Sequence, residues 1–279
     1  MPEYDLTYLK RKKRKKAVLA IMLIACTCAV ILALVAILAR NPGAFTVNLQ
    51  RGSAAVSISQ NEEFTYEEGT GYLTTPKLPG NGYKQATYEE LLAKGVFDMM
   101  DNEGIATADP EGEDKTIPYF KYTFFIKNFG STNAEYDITL KMTTVGYNTK
   151  NQYGLDATLR VACMENRDLS KHNVEFYAMR STKNVAVKSD GSVEYLPEYL
   201  SQPSNGLFAT PFLSNNVVLK RTINDFKPDE VIRYTFLFWI EGHDPESVGT
   251  PPDNTLRMEA AIDVREASIT TPVTSSGND

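Results

Sequence analysis

The residues of this chain that could bind a transition metal are few and stand far apart. The sequence contains only two histidines, His172 and His243, and the His-Glu-x-x-His motif of zinc proteases is absent. Glu175 follows His172 at position i+3, and in an extended strand these two positions point to opposite faces unless a β-bulge intervenes. Because a zinc site needs at least two or three ligands that converge on one point, the sequence predicts none.

Acidic residues offer two further places where a cation could bind. Carboxylates are dense between residues 98 and 114, at Asp98, Asp101, Glu103, Asp109, Glu111, Glu113 and Asp114. Hard oxygen ligands of this kind suit calcium, although the spacing of an EF-hand is absent. Glu241, Asp244 and Glu246 form a second group at the predicted end of a strand. Such acids are usually solvated, so we assign no metal ligand, and calcium is the ion that the sequence leaves open.

The remaining reactive side chains do not form a recognisable catalytic motif. The sequence lacks both the Gly-x-Ser-x-Gly elbow of hydrolases and a glycine-rich phosphate loop. Cys163 alternates with Leu159 and Val161, a pattern that predicts a buried and unreactive thiol. Four tyrosines on predicted loops could contact sugars or a partner: Tyr66, Tyr72, Tyr83 and Tyr153. We therefore expect no cofactor and no catalytic residue, and we interpret the chain as a non-enzymatic protein.

The N-terminal part of the sequence has the pattern of a membrane anchor. Lys10–Lys16 are seven consecutive Lys or Arg residues, and Ala17–Ala39 follow with 23 residues that carry no charge. At about 1.5 Å per residue this apolar run is roughly 34 Å long, enough for a hydrocarbon core of about 30 Å. Basic residues beside a span stay on the cytoplasmic side. We therefore predict a cytoplasmic segment at 1–16, a transmembrane helix at 17–39 and an exterior domain at 41–266.

Two other interpretations of the apolar segment compete with an uncleaved anchor. A cleavable signal peptide has an apolar region of about 7–15 residues and a small-residue cleavage site. Here the run is longer and ends in Ile37-Leu38-Ala39. Leu23-Ile24-Ala25-Cys26 resembles a bacterial lipobox, in which Cys26 would be acylated. The run continues well beyond Cys26, which favours the anchor and leaves cleavage and acylation as alternatives.

Charge and cysteine usage restrict the partners and the compartment. Outside residues 1–40 the chain carries 21 basic and 33 acidic side chains, a net charge of −12 that the whole-chain value of −6 conceals. This acidity argues against nucleic acid as a partner, because nucleic acid binding needs a basic surface. Only Cys163 lies outside the predicted span, so no disulfide can form within the exterior domain. Such usage favours the surface of a Gram-positive bacterium.

Most of the exterior domain has the two-residue alternation of half-buried strands. About nine strands are predicted, at Phe45–Leu49, Val56–Ile58, Tyr119–Lys127, Tyr136–Met142, Leu155–Cys163, Val174–Ala178, Val217–Ile223, Val231–Ile240 and Leu256–Val264. Turn-rich segments connect them, as in antiparallel sheets. We therefore expect a mainly β fold, an antiparallel β-sandwich around one core.

One segment, Tyr88–Met100, has helical spacing instead of strand alternation. Thr87 fits an N-cap with Glu90 three residues later, the pattern of a capping box, and Gly95 should interrupt the helix. We expect this short helix to pack on one edge of the sandwich and the acidic residues after it to form a loop. Ser and Thr are frequent in 267–279, which predicts a disordered tail.

The stretch Phe226–Glu246, with the letters FKPDEVIRYTFLFWIEGHDPE, resembles a signature of single-span surface proteins of Gram-positive bacteria. In that signature a Lys-Pro-Asp or Lys-Pro-Gly turn precedes a central strand that ends in Trp-(Leu/Ile)-Glu-Gly-x-Asp-Pro. The strand predicted directly after the anchor and the letters of Tyr119–Ser131 also fit. These proteins are similar to the TasA and camelysin group, which implies a jelly-roll-like sandwich exported across the membrane. Some members of that group build extracellular fibres, and others are assigned as metalloproteases.

Together these observations predict a membrane-anchored protein of the bacterial cell envelope, with a single pass through the plasma membrane. Its partners would be the lipid bilayer and envelope or cell-wall proteins. Strand addition at a sheet edge could join it to such a protein, since this mode relies on backbone hydrogen bonds. Two alternatives stay open, a camelysin-like metal-dependent peptidase and an accessory or sensory subunit of an envelope complex.

Overall fold

The computed structural model describes residues 45–50, 55–64, 71–75, 82–83, 85–107, 116–145, 155–167, 173–181, 185–247 and 256–266. The chain divides into two units, Met1–Pro42 and Gly43–Asp279, and all of these residues belong to the second unit. The predicted segments at 1–16, 17–39 and 267–279 lie outside the described residues. Among the residues that are described, no helix combines the length with the hydrophobicity that crossing a bilayer requires.

The described part of the chain is mainly β, with two short α-helices and two 3-10 helices. Its strands are β1 (Phe45–Gln50), β2 (Val56–Ser59), β3 (Tyr72–Thr74), β4 (Gly82–Tyr83), β5 (Gln85–Ala86), β6 (Ile105–Thr107), β7 (Thr116–Ile117), β8 (Tyr119–Asn128), β9 (Ala134–Val145), β10 (Leu159–Asn166), β11 (Val174–Ala178), β12 (Val185–Val187), β13 (Val193–Tyr195), β14 (Glu198–Tyr199), β15 (Phe208–Pro211), β16 (Val217–Phe226), β17 (Val231–Glu241) and β18 (Leu256–Glu266). Its helices are α1 (Tyr88–Ala93), α2 (Leu155–Thr158) and the 3-10 helices Asp98–Asp101 and Pro203–Asn205. Each of the nine predicted strands overlaps one of these strands.

The strands form two main sheets. The smaller sheet has five strands in the order β16-β9-β18-β1-β3. The larger sheet has nine, seven of them in the order β14-β15-β11-β10-β17-β8-β2, with β5 beside β17 and β6 beside β8. Most pairs are antiparallel, but β1 runs parallel to β18, β11 to β15 and β5 to β17. The sheets are therefore mixed and not purely antiparallel. The sequence does not show this, because alternation reports which face of a strand is buried and not the direction of the neighbouring strand.

Side chains from both sheets meet in one hydrophobic core. Phe45 of β1 contacts Tyr122 of β8 and Phe238 of β17, with ring centroids 5.0 and 5.5 Å away. Elsewhere in this core the hydroxyl groups of Tyr136 and Tyr234, one from each sheet, are 2.9 Å apart. Since the side chains of a strand alternate, the opposite faces of β8 and β17 form the outer face of the larger sheet.

A second hydrophobic cluster covers that outer face. Trp239 and Leu237 point outward from β17, and Leu91, Val96 and Met100 pack with them. The helical segment therefore lies on a face of the larger sheet, whereas the sequence suggested an edge. Its apolar spacing matches this position, because a helix on a sheet face buries one stripe of side chains.

The helix α1 begins with the capping box that the sequence predicts. The Thr87 side chain accepts a hydrogen bond from the Glu90 amide, and the Glu90 side chain accepts one from the Thr87 amide. Gly95 follows the helix with a φ of 66°, a left-handed conformation that glycine adopts without steric cost. The predicted helix start and its interruption at Gly95 are confirmed.

Two segments differ from their prediction. Residues 155–158 form α2, so β10 starts at Leu159 and not at Leu155. Leu155 is nevertheless wholly buried, which is why its apolar character resembles a continuation of the strand. The acidic segment is not a plain loop either, because it contains the 3-10 helix Asp98–Asp101 and strand β6.

Candidate functional site

The three acidic residues at the end of β17 and just beyond it are buried, whereas the sequence suggests a solvated strand end. The exposed fraction is 0% for Glu241, 3% for Asp244 and 5% for Glu246. A carboxylate removed from water is tolerated only where charged or hydrogen-bonding partners replace its hydration. The identity of those partners therefore decides what this end of the strand can do.

Asp244 pairs with a buried arginine of β10. Its Oδ2 lies 2.7 Å from Nη2 of Arg160, and both side chains are 1% exposed. Arg160 also donates to the backbone carbonyls of Leu200 and Tyr199, each at 3.1 Å. Oδ1 of Asp244 accepts a hydrogen bond from the Glu246 amide at 2.8 Å. The ion pair thus joins the turn after β17 to β10 and to the end of β14, which is a structural use of this carboxylate.

Glu241 is surrounded by four hydrogen-bond donors. Its Oε2 accepts from the indole Nε1 of Trp239 at 2.9 Å and from the Tyr88 amide at 3.0 Å. Its Oε1 accepts from the His243 amide at 3.1 Å and lies 3.3 Å from the Ser201 hydroxyl. Burial raises the pKa of Glu241, and the hydrogen bonds from Trp239 and from backbone amides partly oppose that shift.

Two more potential ligand atoms lie close to Oε1 of Glu241. One belongs to Glu89, in the first turn of α1, and the other belongs to His243. Nδ1 of His243 lies 3.5 Å from Oε2 of Glu89 and 3.8 Å from Oε1 of Glu241. All three atoms lie within 4.8 Å of one another. The Ser201 hydroxyl is 2.7 Å from Oε2 of Glu89 and 3.1 Å from Nδ1 of His243. We refer to Glu89, Ser201, Glu241 and His243 as the convergent cluster.

The convergent cluster does not have the geometry of a catalytic triad. In a Ser-His-acid triad the hydroxyl and the acid bind opposite nitrogens of the imidazole, so that the acid orients the ring while the ring takes the proton. Here Ser201, Glu89 and Glu241 all face the same nitrogen, Nδ1 of His243. The cluster can instead hold one proton or one cation among its polar groups.

Sequence reasoning names two members of this cluster but does not bring them together. It groups Glu241 with Asp244 and Glu246 and treats His243 only as one of two histidines too far apart for a zinc site. Glu89 is predicted only as a helical residue, and Ser201 carries no signal. Among the described residues, ligand atoms close enough for one ion are found at Glu89, Glu241 and His243. The fold therefore places Glu241 beside Glu89 and His243, and not beside Asp244 and Glu246 as the sequence suggests for a cation site.

The described part of the acidic segment already binds cations that belong to the protein itself. Lys121 is 1% exposed, and its ammonium donates to the carbonyl of Met99 at 3.1 Å and to that of Asn102. Nη2 of Arg233 lies 3.0 Å from Oδ1 of Asp101. Burial and the neighbouring Arg233 lower the pKa of Lys121 to about 8. Carbonyl oxygens that could suit calcium are thus taken up by an ammonium group.

Several residues singled out from the sequence lie outside the described part of the chain: Cys26, Tyr66, Asp109, Glu111, Glu113, Asp114, Tyr153 and His172. Tyr72 and Tyr83 lie on strands and not on the predicted loops: Tyr83 belongs to β4, and Tyr72 is 44% exposed on β3, at one border of the smaller sheet. Cys163 is buried, as predicted, and burial raises the pKa of its thiol to about 12.

Exposed apolar side chains are concentrated in one stretch of the chain. Ten large apolar side chains are exposed among the described residues, and six of them are Val187, Val193, Leu196, Leu207, Phe208 and Leu213. Val187 and Val193 stand opposite each other in the β12-β13 hairpin. Phe208 of β15 contacts the ring of Tyr199 in β14, the last strand at one border of the larger sheet. The β12-β13 hairpin and the β14-β15 pair belong to different sheets, and we refer to the six residues, which are grouped by their place in the sequence, as the 187–213 surface.

Comparisons with known proteins give no family for this chain. No family model matches it, and no curated protein does. A solved structure of a β-glucosidase from Kluyveromyces marxianus, in complex with glucose, is similar at 12% identity with a TM-score of 0.21. The alignment covers 76% of this chain and 16% of that chain. A TM-score this low carries no argument about fold or function.

Proposed function

We propose that this protein is a membrane-anchored component of a bacterial cell envelope, with a structural or interaction role and no enzymatic activity. Residues 17–39 span the plasma membrane in this proposal, residues 1–16 lie in the cytoplasm and the domain at 41–266 lies outside the cell. The domain is a jelly-roll-like β-sandwich, largely antiparallel, that presents a binding surface to another envelope protein.

The observation that carries the interaction role is the 187–213 surface. Contiguous exposed apolar patches commonly mark sites of protein association, and six of the ten large exposed apolar side chains of the described residues fall within 187–213. Val187 is 71% exposed, Leu213 66% and Phe208 54%. The buried pair of Arg160 with Asp244, by contrast, is used in a structural contact. This contrast supports binding over catalysis.

A photoreactive amino acid placed at position 208 tests for a partner at this surface. In cells that express the full chain, a benzophenone side chain in place of Phe208 should crosslink to one envelope protein. The same side chain in place of Lys220, which is 50% exposed on β16 of the other sheet, is the matched control and should not. A product at 208 that Leu213→Ser reduces supports the proposal. Equal products at both positions, or none at either, contradict it.

The proposed topology can be tested with a single engineered cysteine. Lys188, whose side chain is 53% exposed beside Val187, is replaced by Cys, and intact cells are treated with a membrane-impermeant maleimide. The unchanged chain is the control, since burial and a pKa of about 12 keep Cys163 from reacting. Labelling of Lys188→Cys in intact cells supports an exterior domain, and labelling only after lysis places the domain inside.

The metal-dependent peptidase stays the second candidate, because the convergent cluster contains two carboxylates and an imidazole. A peptidase of this kind should hydrolyse fluorescent casein with zinc present and lose that activity in a His243→Ala variant. The proposed function predicts no hydrolysis by either chain. An accessory or sensory role would instead be recognised if the product crosslinked at position 208 is a subunit of an envelope complex.

A further inference from the structure

The convergent cluster has the arrangement of a metal-binding site. Nδ1 of His243, Oε2 of Glu89 and Oε1 of Glu241 lie within 4.8 Å of one another, and two of the separations are 3.5 and 3.8 Å. Ligands bound to one tetrahedral zinc ion at about 2.0–2.1 Å are roughly 3.3–3.4 Å apart. Small side-chain rotations therefore bring the three atoms to the separations that coordination requires.

Both carboxylates are oriented by their second oxygen. Oε2 of Glu241 is fixed by the indole of Trp239 and by the Tyr88 amide, which leaves Oε1 facing the cluster. Oε1 of Glu89 accepts from the side-chain amide of Asn205, which leaves Oε2 facing the same point. Hydrogen bonds of this kind hold metal ligands in place before the ion arrives, and they strongly affect affinity.

The backbone that carries these ligands is also held in place. Glu89 lies in the capped first turn of α1, directly beside Tyr88, whose amide is bound to Glu241. The His243 amide is bound to the same carboxylate through Oε1. Three separate segments, the start of α1, the end of β17 and the loop that contains Ser201, thereby meet around one point. An ion bound there by Glu89, Glu241 and His243 would link α1 to the end of β17.

The donor set selects the class of ion. One imidazole nitrogen and two carboxylate oxygens suit zinc or a similar first-row transition metal, whereas calcium and magnesium prefer all-oxygen sites. The Ser201 hydroxyl, which lies against all three ligand groups, can rotate about one torsion to leave room or to supply a fourth ligand. The side chains of His243 and Glu89 are 37% and 35% exposed, so an ion can reach the site from solvent.

We propose that Glu89, Glu241 and His243 bind one divalent transition-metal ion, of which zinc is the representative. The ion neutralises the two carboxylates, one of which is wholly buried. It fastens α1 to the end of β17. This inference does not depend on the proposed envelope function, because a metal can stabilise this end of the domain whatever the partner is.

Zinc titration of the untagged full chain in detergent micelles tests this site. Bound zinc is measured by elemental analysis after removal of excess ion, and about one zinc per chain is expected. Trp239 provides a second signal, since it is the only tryptophan and its indole lies 2.9 Å from Oε2 of Glu241. Zinc binding should therefore change the emission of Trp239.

Two variants and two matched controls give the test its specificity. Glu89→Gln and His243→Ala each remove a ligand and should weaken zinc binding at least about 10-fold. Glu194→Gln changes an exposed acid of the β12-β13 hairpin, and His172→Ala removes the only other histidine; both should bind zinc as the unchanged chain does. Circular dichroism confirms that each variant is folded.

Loss of zinc that is confined to Glu89→Gln and His243→Ala supports the site. No binding by the unchanged chain overturns it. Full binding by either ligand variant, or an equal loss in a control variant, overturns it as well. These outcomes are independent of crosslinking at position 208, so failure of this inference and failure of the proposed function can be told apart.

Discussion

The indole nitrogen of Trp239 donates a hydrogen bond to Oε2 of Glu241 at 2.9 Å, and neither residue is exposed to solvent. The two residues stand two positions apart on β17, so both side chains lie on the outer face of the larger sheet. The indole N–H is satisfied inside an apolar cluster, and the carboxylate gains a donor there. The strand period therefore gives a physical reason for the spacing of Trp239 and Glu241.

Replacing Trp239 by Phe should lower the free energy of unfolding by about 1–3 kcal/mol, because the buried carboxylate then lacks one of its donors. Phenylalanine keeps an aromatic ring against Phe97 and Phe176, whose rings lie 5.8 and 6.4 Å from that of Trp239. Urea unfolding of the full chain in detergent micelles, followed by circular dichroism, measures the change.

A double-mutant cycle separates the hydrogen bond from the loss of ring size. In a Glu241→Gln background the acceptor of the indole hydrogen bond is neutral. Trp239→Phe should therefore lower the free energy of unfolding clearly less there than it does in the unchanged chain. An equal cost in both backgrounds would show that packing alone accounts for the effect.

The stability of the domain should depend on the protonation of Glu241. Burial raises its pKa in the folded state above the usual 4.5, so the folded state holds this proton at a higher pH than the unfolded state does. Stability from this group is thus fully present below the usual value and is lost as pH rises through the folded value. Unfolding free energies measured in EDTA at several pH values above 4.5 should fall more steeply for the unchanged chain than for Glu241→Gln. Parallel slopes would contradict the assignment, since Glu198 and Asp156, whose pKa values are also raised, are common to both chains.

Replacing Lys121 by Met should destabilise the segment at residues 98–103. The ammonium bridges backbone carbonyls of that segment, and buried acceptors left without a donor cost about 1–3 kcal/mol. Lys188→Met is the matched control, because the ion pair of Lys188 with Glu194 is solvent-exposed and should contribute about 1 kcal/mol or less. Hydrogen exchange should become faster at the amides of Met100 and Asn102, which bond to the carbonyls of Phe97 and Met99. Unchanged protection there would mean that Lys121 only fills space.

The sequence predicts an element of secondary structure correctly where the apolar residues recur with the period of that element and all lie on its buried face. Alternation identifies the long strands β8, β9, β17 and β18, and the Thr87–Glu90 spacing identifies the start of α1. These signals are local, because strand and helix periods place apolar side chains on one side of each element. Parallel pairing of β1 with β18 gives no such signal, since it joins residues more than two hundred positions apart.

The convergent cluster could not be assembled from the sequence for the same reason. Ser201 and Glu89 are separated by 112 positions, and they meet only because α1 folds onto the outer face of the larger sheet. Arg160 is comparable, since an arginine in an alternating strand suggests an exposed position, yet it is 1% exposed against Asp244. Charged pairs of this kind satisfy each other in the interior, and hydrophobicity patterns cannot reveal them.

The thiol of Cys163 should be unreactive in the folded protein. It is 1% exposed, and burial raises its pKa to about 12, so almost no thiolate is present at neutral pH. Reaction of the full chain with a maleimide in micelles should therefore be slow in buffer and fast in urea. A Cys163→Ala chain is the control, because it shows how much maleimide reacts with Cys26 and Cys28. Faster reaction of the unchanged chain than of this control in buffer would contradict the buried position of Cys163.

Replacing Phe208 and Leu213 by Ser should leave the fold intact and weaken association with an envelope partner. Both side chains are more than half exposed, so their loss should change the free energy of unfolding by only about 0.5 kcal/mol. At a contact surface the same truncations remove apolar anchors, and a central anchor is worth about 2 kcal/mol or more, roughly a 30-fold loss of affinity. Co-purification of the partner identified by crosslinking at position 208 measures the loss, with Lys220→Ser as the control variant. If the Phe208→Ser, Leu213→Ser double variant binds the partner as tightly as the unchanged chain does, the complex does not depend on these two side chains. The partner would then bind at another surface.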